Sequence, residues 1–371
     1  MERKDYFPVL DILRFIACSG VLLTHSTLFF KAEDRPFIFG GLVTHAGYFG
    51  VVFFYVLSGF LITGLLLDEE KRTGAIDIRR FYVRRSLRIW PLYYFIVLLS
   101  FFVFPFLWPW KEIPPGGVTS GTLWYYIFFL PNLAAIKGTF IITCFQVYTI
   151  GYEEQFYLVW PWVIKGIRRR LPVFLGVVFA GHFLLEEFHL LLISHTVGRP
   201  GFGLMAVKGV LTYINVSNLP AFIAGAFSAW LYRRGNLKVI RWRGWTWILS
   251  IIVLLMMYTN KSTPAGYVNI VSILFAALIL HLVLSYPEPG SVGRLLAKGG
   301  KISYGIYIYH TAILVFVSGC LHKSRLMSDL PSLAVYFIYL AISFLLILGI
   351  SLLSYRYLEM PFLRLKQRFR H

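Results

Sequence analysis

The sequence predicts an all-α integral membrane protein with about ten transmembrane helices, one re-entrant or interfacial segment, and both termini cytoplasmic. The first ground is composition. Of 371 residues, 58% are hydrophobic, 18% aromatic and 14% charged, whereas a soluble domain carries about 25% charged residues. The second is spacing: apolar stretches recur from end to end, each near the ~20 residues that a helix needs to cross a bilayer. The third is the distribution of charge. Of the 36 Lys and Arg residues, 27 lie in the N-terminus through Arg14 and in 68–91, 165–170, 233–243, 287–301 and 356–371. The rest are scattered over the alternate connections. This is the positive-inside pattern. It explains the net charge of +19 through topology and anionic lipid head groups, and leaves no role for nucleic acid.

The elements follow in order. "MERKDYF" leads into an apolar run, 8–28, with no small-residue cleavage site after it, so the run reads as a retained helix. The second span, 47–67, is "YFGVVFFYVLSGFLITGLLL" at 48–67, whose Ser58 and Gly59 allow close helix approach. The third, 89–108, has Pro91 near its start and follows a basic stretch. "GTLWYYIFFLPNLAAI" (121–136) is apolar but short and interrupted by Pro131. Crossing alone, it would put 165–170 on the wrong side, so it reads as re-entrant or interfacial. The remaining spans are 141–166, 171–193, 213–232, 245–259, 266–286, 302–321 and 332–355. Ten is the even number that two cytoplasmic termini require. With no Ser/Pro/Gly linker or low-complexity tract, 1–371 reads as a single membrane domain with no appended soluble domain. Cys18, Cys144 and Cys320 lie in or beside apolar segments, without paired or metal-ligand spacing.

Ionisable groups within such segments are costly and point to function. The first span holds Asp11, Arg14 and His25. Eleven steps of about 100° put Arg14 and His25 on one helix face, roughly 16–17 Å apart along the axis. Asp11, one turn before Arg14, is spaced to pair with it. "RRFYVRRSLRIWPLYY" (79–94) clusters Arg84, Arg85 and Arg88 at a membrane entry, and guanidinium forks bind phosphate oxygens bidentately. In "YEEQFYLVWP" (152–161), Glu153, Phe156 and Tyr157 share a helix face and Glu154 points elsewhere. His310 lies within the ninth span, and Glu359 closes the last. His182, Glu186 and His189 share a face in "HFLLEEFH", with Glu187 beside them. This is not the His-Glu-x-x-His spacing of metalloproteases, and no metal site is expected.

The order and spacing of these stretches resemble the acyltransferase-3 family of integral membrane acyltransferases along nearly the whole chain. The shared features are the Arg-x10-His of Arg14 and His25, "GVVFFYVLSGFLI", "FYVRRSLRIWPLYY", "EEQFYLVWP", "SYGIYIYH" and "YLEMPF". The resemblance implies ten helices and transfer of an acyl group, commonly acetyl from acetyl-CoA. The acceptor it implies is a hydroxyl on a glycan or another lipid-linked or secreted product. The family's catalytic histidine falls on His25 and its arginine partner on Arg14. The loop arginines fall on Arg85 and Arg88, and the motif glutamate on Glu153. Two positions depart from the pattern: a serine usual two residues before that glutamate is Gly151, and a glycine often found after the leading Asp is Ile12.

This assignment leads to a mechanism. Arg85 and Arg88, with Arg14, would hold the phosphates of acyl-CoA at the inner face, and Arg84 would support them. The pantetheine arm would reach His25, which would act as general base or as acyl acceptor. Glu153 would orient and stabilise it, and Asp11, Tyr157 and His310 would support the site. Acyl-CoA is a donor substrate, and no permanently bound cofactor is expected. The expected partners are acyl-CoA, a glycan or lipid-linked acceptor and membrane lipids, and the expected location is the bacterial cytoplasmic membrane. A polytopic transporter or flippase is the competing class. It has no need of a base at fixed distance from a phosphate clamp. Residues 195–215, with Arg199, Tyr213 and Asn215, are a candidate outer acceptor region.

Overall fold

The computed structural model describes residues 6–30, 40–107, 120–195, 211–214, 217–235, 242–259, 266–286, 288–323 and 330–369. Among them all regular structure is helical, with no strand. A helix stands at each of the ten expected places. These are α1 (Pro8–Phe29), α2 (Gly40–Thr73), α3 (Ile78–Leu98), α6 (Val147–Ile167), α7 (Leu171–His195), α8 (Leu219–Arg234), α9 (Gly244–Thr259), α10 (Tyr267–Ser285), α12 (Ser303–Lys323) and α13 (Ser332–Ser354). Between them come α4 (Ser120–Ile127), α5 (Pro131–Ile136) and α11 (Ser291–Lys301), and α14 (Met360–Gln367) follows. Seven spans among the described residues are long and apolar enough to cross a membrane: those of α1, α2, α3, α7, α10, α12 and α13. The other three expected spans fall short for visible reasons. α6 carries the Glu153–Glu154–Gln155 run, and α8 and α9 have 16 residues each.

The broken segment resolves into two short helices. Phe129 adopts φ 56° between α4 and α5. Pro131, which has no N–H to donate, starts α5. At 8 and 6 residues these helices measure about 12 and 9 Å, too short to span a bilayer. Tyrosines of α3 cap the C-terminal end of α4: Tyr93 Oη donates to Tyr126 O at 2.8 Å, which also takes Phe129 N at 3.4 Å, and Tyr94 Oη donates to Ile127 O at 2.9 Å.

Two boundaries differ from expectation. α3 begins at Ile78, so Arg84, Arg85 and Arg88 lie on the helix and not in a preceding loop. The cause is a side-chain cap, in which Asp77 accepts the Arg80 amide at 2.9 Å and pairs with its side chain at 3.3 Å. The basic connection 287–301 contains α11, whose Val292 and Leu295 are exposed beside Arg294 and Lys298. An amphipathic helix of this composition suits a membrane interface.

By contact the chain divides into two compact units. The first comprises Met1–Leu13, Tyr48–Ile76 and Val159–Ala297; the second comprises Arg14–Gly47, Asp77–Leu158 and Lys298–His371. In the first, α8 packs on α7 and α10 and crosses α2 at a pair of glycines. A Cβ on Gly59 would collide with Phe222 O, and one on Gly225 with Val56 O, so only glycine permits this approach. Trp160 Nε1 donates to Thr63 Oγ1 at 2.8 Å. In the second unit α12 packs on α13, where Tyr309 Oη donates to Ser354 Oγ at 2.9 Å. α3 packs against α12 and α14. A π-turn at Tyr355–Glu359 joins α13 to α14 and buries Glu359; such turns recur at functional sites.

Candidate active site

The catalytic, donor-binding and supporting residues expected from sequence fall in the second unit, except Asp11. At its centre are two imidazoles from helices 285 residues apart. His25 Nδ1 lies 2.7 Å from His310 Nε2. The ring planes are within 4° of parallel, with centroids 5.0 Å apart. A centroid separation this much longer than the N···N contact means the rings meet edge to edge, in one plane, through a straight hydrogen bond. His310 Nδ1 lies 2.6 Å from the Tyr307 carbonyl oxygen. A carbonyl only accepts, so Nδ1 of His310 carries hydrogen. In the uncharged pair His310 Nε2 is then the bare nitrogen and accepts the Nδ1–H of His25, which leaves the His25 lone pair on Nε2. This tautomer follows from the partners, as no proton is seen directly.

The carbonyl that starts this chain is itself held. Tyr307 Oη hydrogen-bonds Thr149 Oγ1 at 2.7 Å and donates to Gln146 O at 3.3 Å. Gln146 is fully buried. Its amide donates to Ile308 O and its carbonyl accepts Thr311 Oγ1. The start of α6 is thereby pinned to the middle of α12. One turn beyond Thr149, Glu153 accepts Tyr157 Oη at 3.0 Å and lies within electrostatic reach of Tyr307.

Tyr157 joins this region to the arginines. Its ring centroid is 5.7 Å from the Arg85 guanidinium, which lies equally close to the Phe81 ring. Arg85 is within electrostatic reach of Arg84, Arg88 and Glu154. Arg88 is exposed, and Arg84 Nη1 donates to Phe369 O at 3.2 Å. Glu154 is the residue that sequence reasoning set aside. It takes Trp90 Nε1 on one oxygen at 3.1 Å, and its other oxygen is buried with no hydrogen-bond partner among the described residues. Glu359 Oε1 is likewise buried and unpartnered, within reach of Arg88. The expectation that Glu153 and Glu154 diverge is met: one turns to the tyrosine chain, the other to the arginines. No sequence signal pointed to this contact, because Trp90 and Glu154 are 64 residues apart and meet only in the fold.

Arg14 is half-buried on α1, eleven residues before His25. Asp11 falls in the first unit and accepts Tyr6 Oη at 2.7 Å. Of the His182 cluster, Glu186 accepts Gly266 N at 3.1 Å and Asn269 Nδ2 at 3.4 Å, and His189 Nε2 meets Thr212 Oγ1 at 3.3 Å. Among the described residues no three His, Cys, Asp or Glu side chains converge on a metal-sized site. Arg199 and Asn215 lie outside the described residues.

The profile of the acyltransferase-3 family, described as an acyltransferase domain, matches residues 7–354. The chain belongs to the acyltransferase-3 family. Its curated relatives include O-acetyltransferase OatA of Staphylococcus aureus, strains NCTC 8325 and COL. Each is 24% identical over 375 residues, covering 97% of this chain and 58% of the relative. The chain thus spans little more than half the length of these relatives. No solved structure matches it. Within this acyltransferase-3 chain the Gly151 departure has a structural cause. A Cβ there would meet Asn132 Oδ1 at 2.9 Å, Pro131 Cδ at 3.1 Å and Phe129 O at 3.2 Å. The α4–α5 turn occupies the space that a serine would need.

Proposed function

We propose that this chain is a membrane O-acyltransferase that moves an acyl group, acetyl first among candidates, from acyl-CoA to a hydroxyl of a glycan or other cell-envelope acceptor. The reading includes ten membrane crossings in the cytoplasmic membrane of a bacterium, with both termini cytoplasmic. The observation that carries it is the straight chain from Tyr307 O through His310 to His25, which leaves Nε2 of His25 as the basic nitrogen.

The chemistry follows from that nitrogen. His25 Nε2 takes the proton of the acceptor hydroxyl as its oxygen adds to the thioester carbonyl. The tetrahedral intermediate collapses, the C–S bond breaks, and the CoA thiolate recovers the proton from His25. While His25 is cationic, its Nδ1–H bond to His310 strengthens, as charge-assisted hydrogen bonds do. Glu153 contributes a compensating negative charge. His310 therefore has the orienting part that a third group plays in nucleophile–base–orienter arrangements.

Arg85 and Arg88, with Arg84 and Arg14, are assigned to the phosphates of the donor. Along α1, Arg14 to His25 is roughly 16–17 Å of helical rise, which supports a fixed spacing for an extended pantetheine arm. Tyr304 Oη, donating to Ile89 O at 2.9 Å, ties the helix of His310 to the helix that carries Arg85 and Arg88.

The test is mass spectrometry of cell-surface glycans from cells with the gene, without it, and with His25→Ala. The wild-type gene adds one acyl mass that the other two lack. If wild-type and His25→Ala cells carry the same acyl mass, the reading fails.

A further inference from the structure

The first unit contains a cavity to which the acyl-transfer reading assigns no part. It is a half-open space of about 560 Å³ among α7, α8, α9 and α10, with Gly176, Phe179, Ala224, Phe227, Trp245 and Ala277 on its walls. Its polar groups are already engaged. Ser228 Oγ donates to Ala276 O at 3.0 Å, and the His281 nitrogens meet Thr246 Oγ1 at 2.8 Å and Ser285 Oγ at 3.3 Å. A polar occupant would gain nothing from such walls, whereas hydrocarbon would lose nothing. Taking a methylene as roughly the ~30 Å³ share of a liquid water, the space holds about 18 methylenes. That is one long acyl chain.

A second cavity of about 320 Å³ opens beside the same helix, lined by Leu67, Glu70, Arg169, Trp230, Arg233 and Arg234. α8 connects the two. Phe227, on the apolar wall, stacks on Trp230 with centroids 5.6 Å apart, and the Arg234 guanidinium lies 4.3 Å from the Trp230 ring. Phe227 to Arg234 is seven residues, about 10 Å of rise, which runs from hydrocarbon to head group within one leaflet. Arg233 is held by Asp68 and Gly64 O. Arg169 and Arg234 are exposed, and Glu70 contributes the one carboxylate to this lining. Tryptophan at interface depth and arginine at head-group depth match the layering of a bilayer.

We propose that this pair of cavities is a binding site for one anionic glycerophospholipid, with an acyl chain in the apolar cavity and the phosphate between Arg169 and Arg234. The site does not depend on the acyl-transfer reading and lies wholly within the first unit. A fork of guanidiniums favours a phosphodiester without a compensating cation, so phosphatidylglycerol binds ahead of phosphatidylcholine.

Native mass spectrometry of the purified full chain in detergent, given equimolar phosphatidylglycerol and phosphatidylcholine, tests it. The wild-type protein retains phosphatidylglycerol at least about tenfold over phosphatidylcholine, as expected for charge-assisted contacts. Gly176→Phe fills the cavity from a position where a Cβ meets nothing within 4 Å. It loses the retained lipid while keeping the lipid-free melting temperature, and Ala277→Leu on the facing wall weakens retention too. Arg169→Gln with Arg234→Gln retains both lipids equally. Equal retention by the wild type, or undiminished phosphatidylglycerol on both cavity-filling variants, overturns the proposal. Full displacement by glycerol 1-phosphate would show an anion site without a chain, and preferential retention of a polyprenyl phosphate would show a different lipid class. Either also overturns it.

Discussion

Truncating the imidazole of His25 removes the one nitrogen that the Tyr307–His310 chain leaves basic. Loss of a positioned acid–base group costs about 10²–10⁴-fold in rate, so His25→Ala is expected to abolish measurable transfer while inserting normally. His310 separates orientation from chemistry. His310→Gln keeps a side-chain carbonyl able to accept the His25 Nδ1–H, and His310→Leu does not. The glutamine variant should therefore retain clearly more kcat than the leucine variant, with KM for donor similar in both. Equal kcat in the two would remove His310 from the relay. The adjacent glutamates divide in the same way. Glu153→Gln should lower kcat. Glu154→Gln, which can still accept the Trp90 N–H bond but no longer places a negative charge beside Arg85, should leave kcat near wild type and lower the donor KM. Steady-state kinetics with acetyl-CoA varied separates the two, and a reversed ranking would show that the wrong carboxylate faces the base.

At the scale of elements, the clearest test concerns Gly151 on α6. Gly151→Ser restores the residue usual in the acyltransferase-3 pattern, but here it would press a Cβ into a part-buried amide pair. Asn132 Nδ2 donates to Gln155 Oε1 at 3.2 Å, and Gln155 Nε2 donates to Asn132 Oδ1 at 3.1 Å and to Phe129 O at 3.3 Å. Overpacking of this kind costs typically 1–3 kcal/mol. The variant should melt several degrees below wild type in the same detergent; an unchanged melting temperature would mean that the α4–α5 turn yields freely. This element was half legible in the sequence. Pro131 and the shortness of the run announced the break, but the positive φ of Phe129 and the tyrosine caps from α3 depend on tertiary partners. The start of α3 was misjudged for a related reason. Hydropathy marks where the chain becomes apolar, not where the Asp77 cap nucleates the helix, so the arginines read as loop residues.

Across the whole molecule, the all-helical membrane character and the places of the helices could be read from periodicity and charge, and motif order singled out His25 and His310 as site candidates. That the two imidazoles bond each other directly could not be read, because nothing local joins residues 25 and 310. The proposed fixed spacing between donor head group and base predicts a kinetic division of labour. Arginines that grip phosphate equally in ground and transition states affect KM and not kcat. A charge-assisted hydrogen bond is worth about 1.5–3 kcal/mol, so Arg85→Ala and Arg88→Ala should each raise the acetyl-CoA KM by one to two decades. Raising the donor concentration should then restore their rate, whereas no concentration rescues His25→Ala. Exposed Arg88 should show the cleaner KM effect. Arg85 also packs between Phe81 and Tyr157, so its removal carries some stability loss that a melting curve will register. Arg14→Lys should stay saturable with partial activity, since the charge remains and the fork is lost. Measured in nanodiscs at fixed acceptor, the three variants together decide the matter. Wild-type KM with depressed kcat in all of them would mean that the donor is not held by these arginines, and the base would then have to receive its thioester by another route.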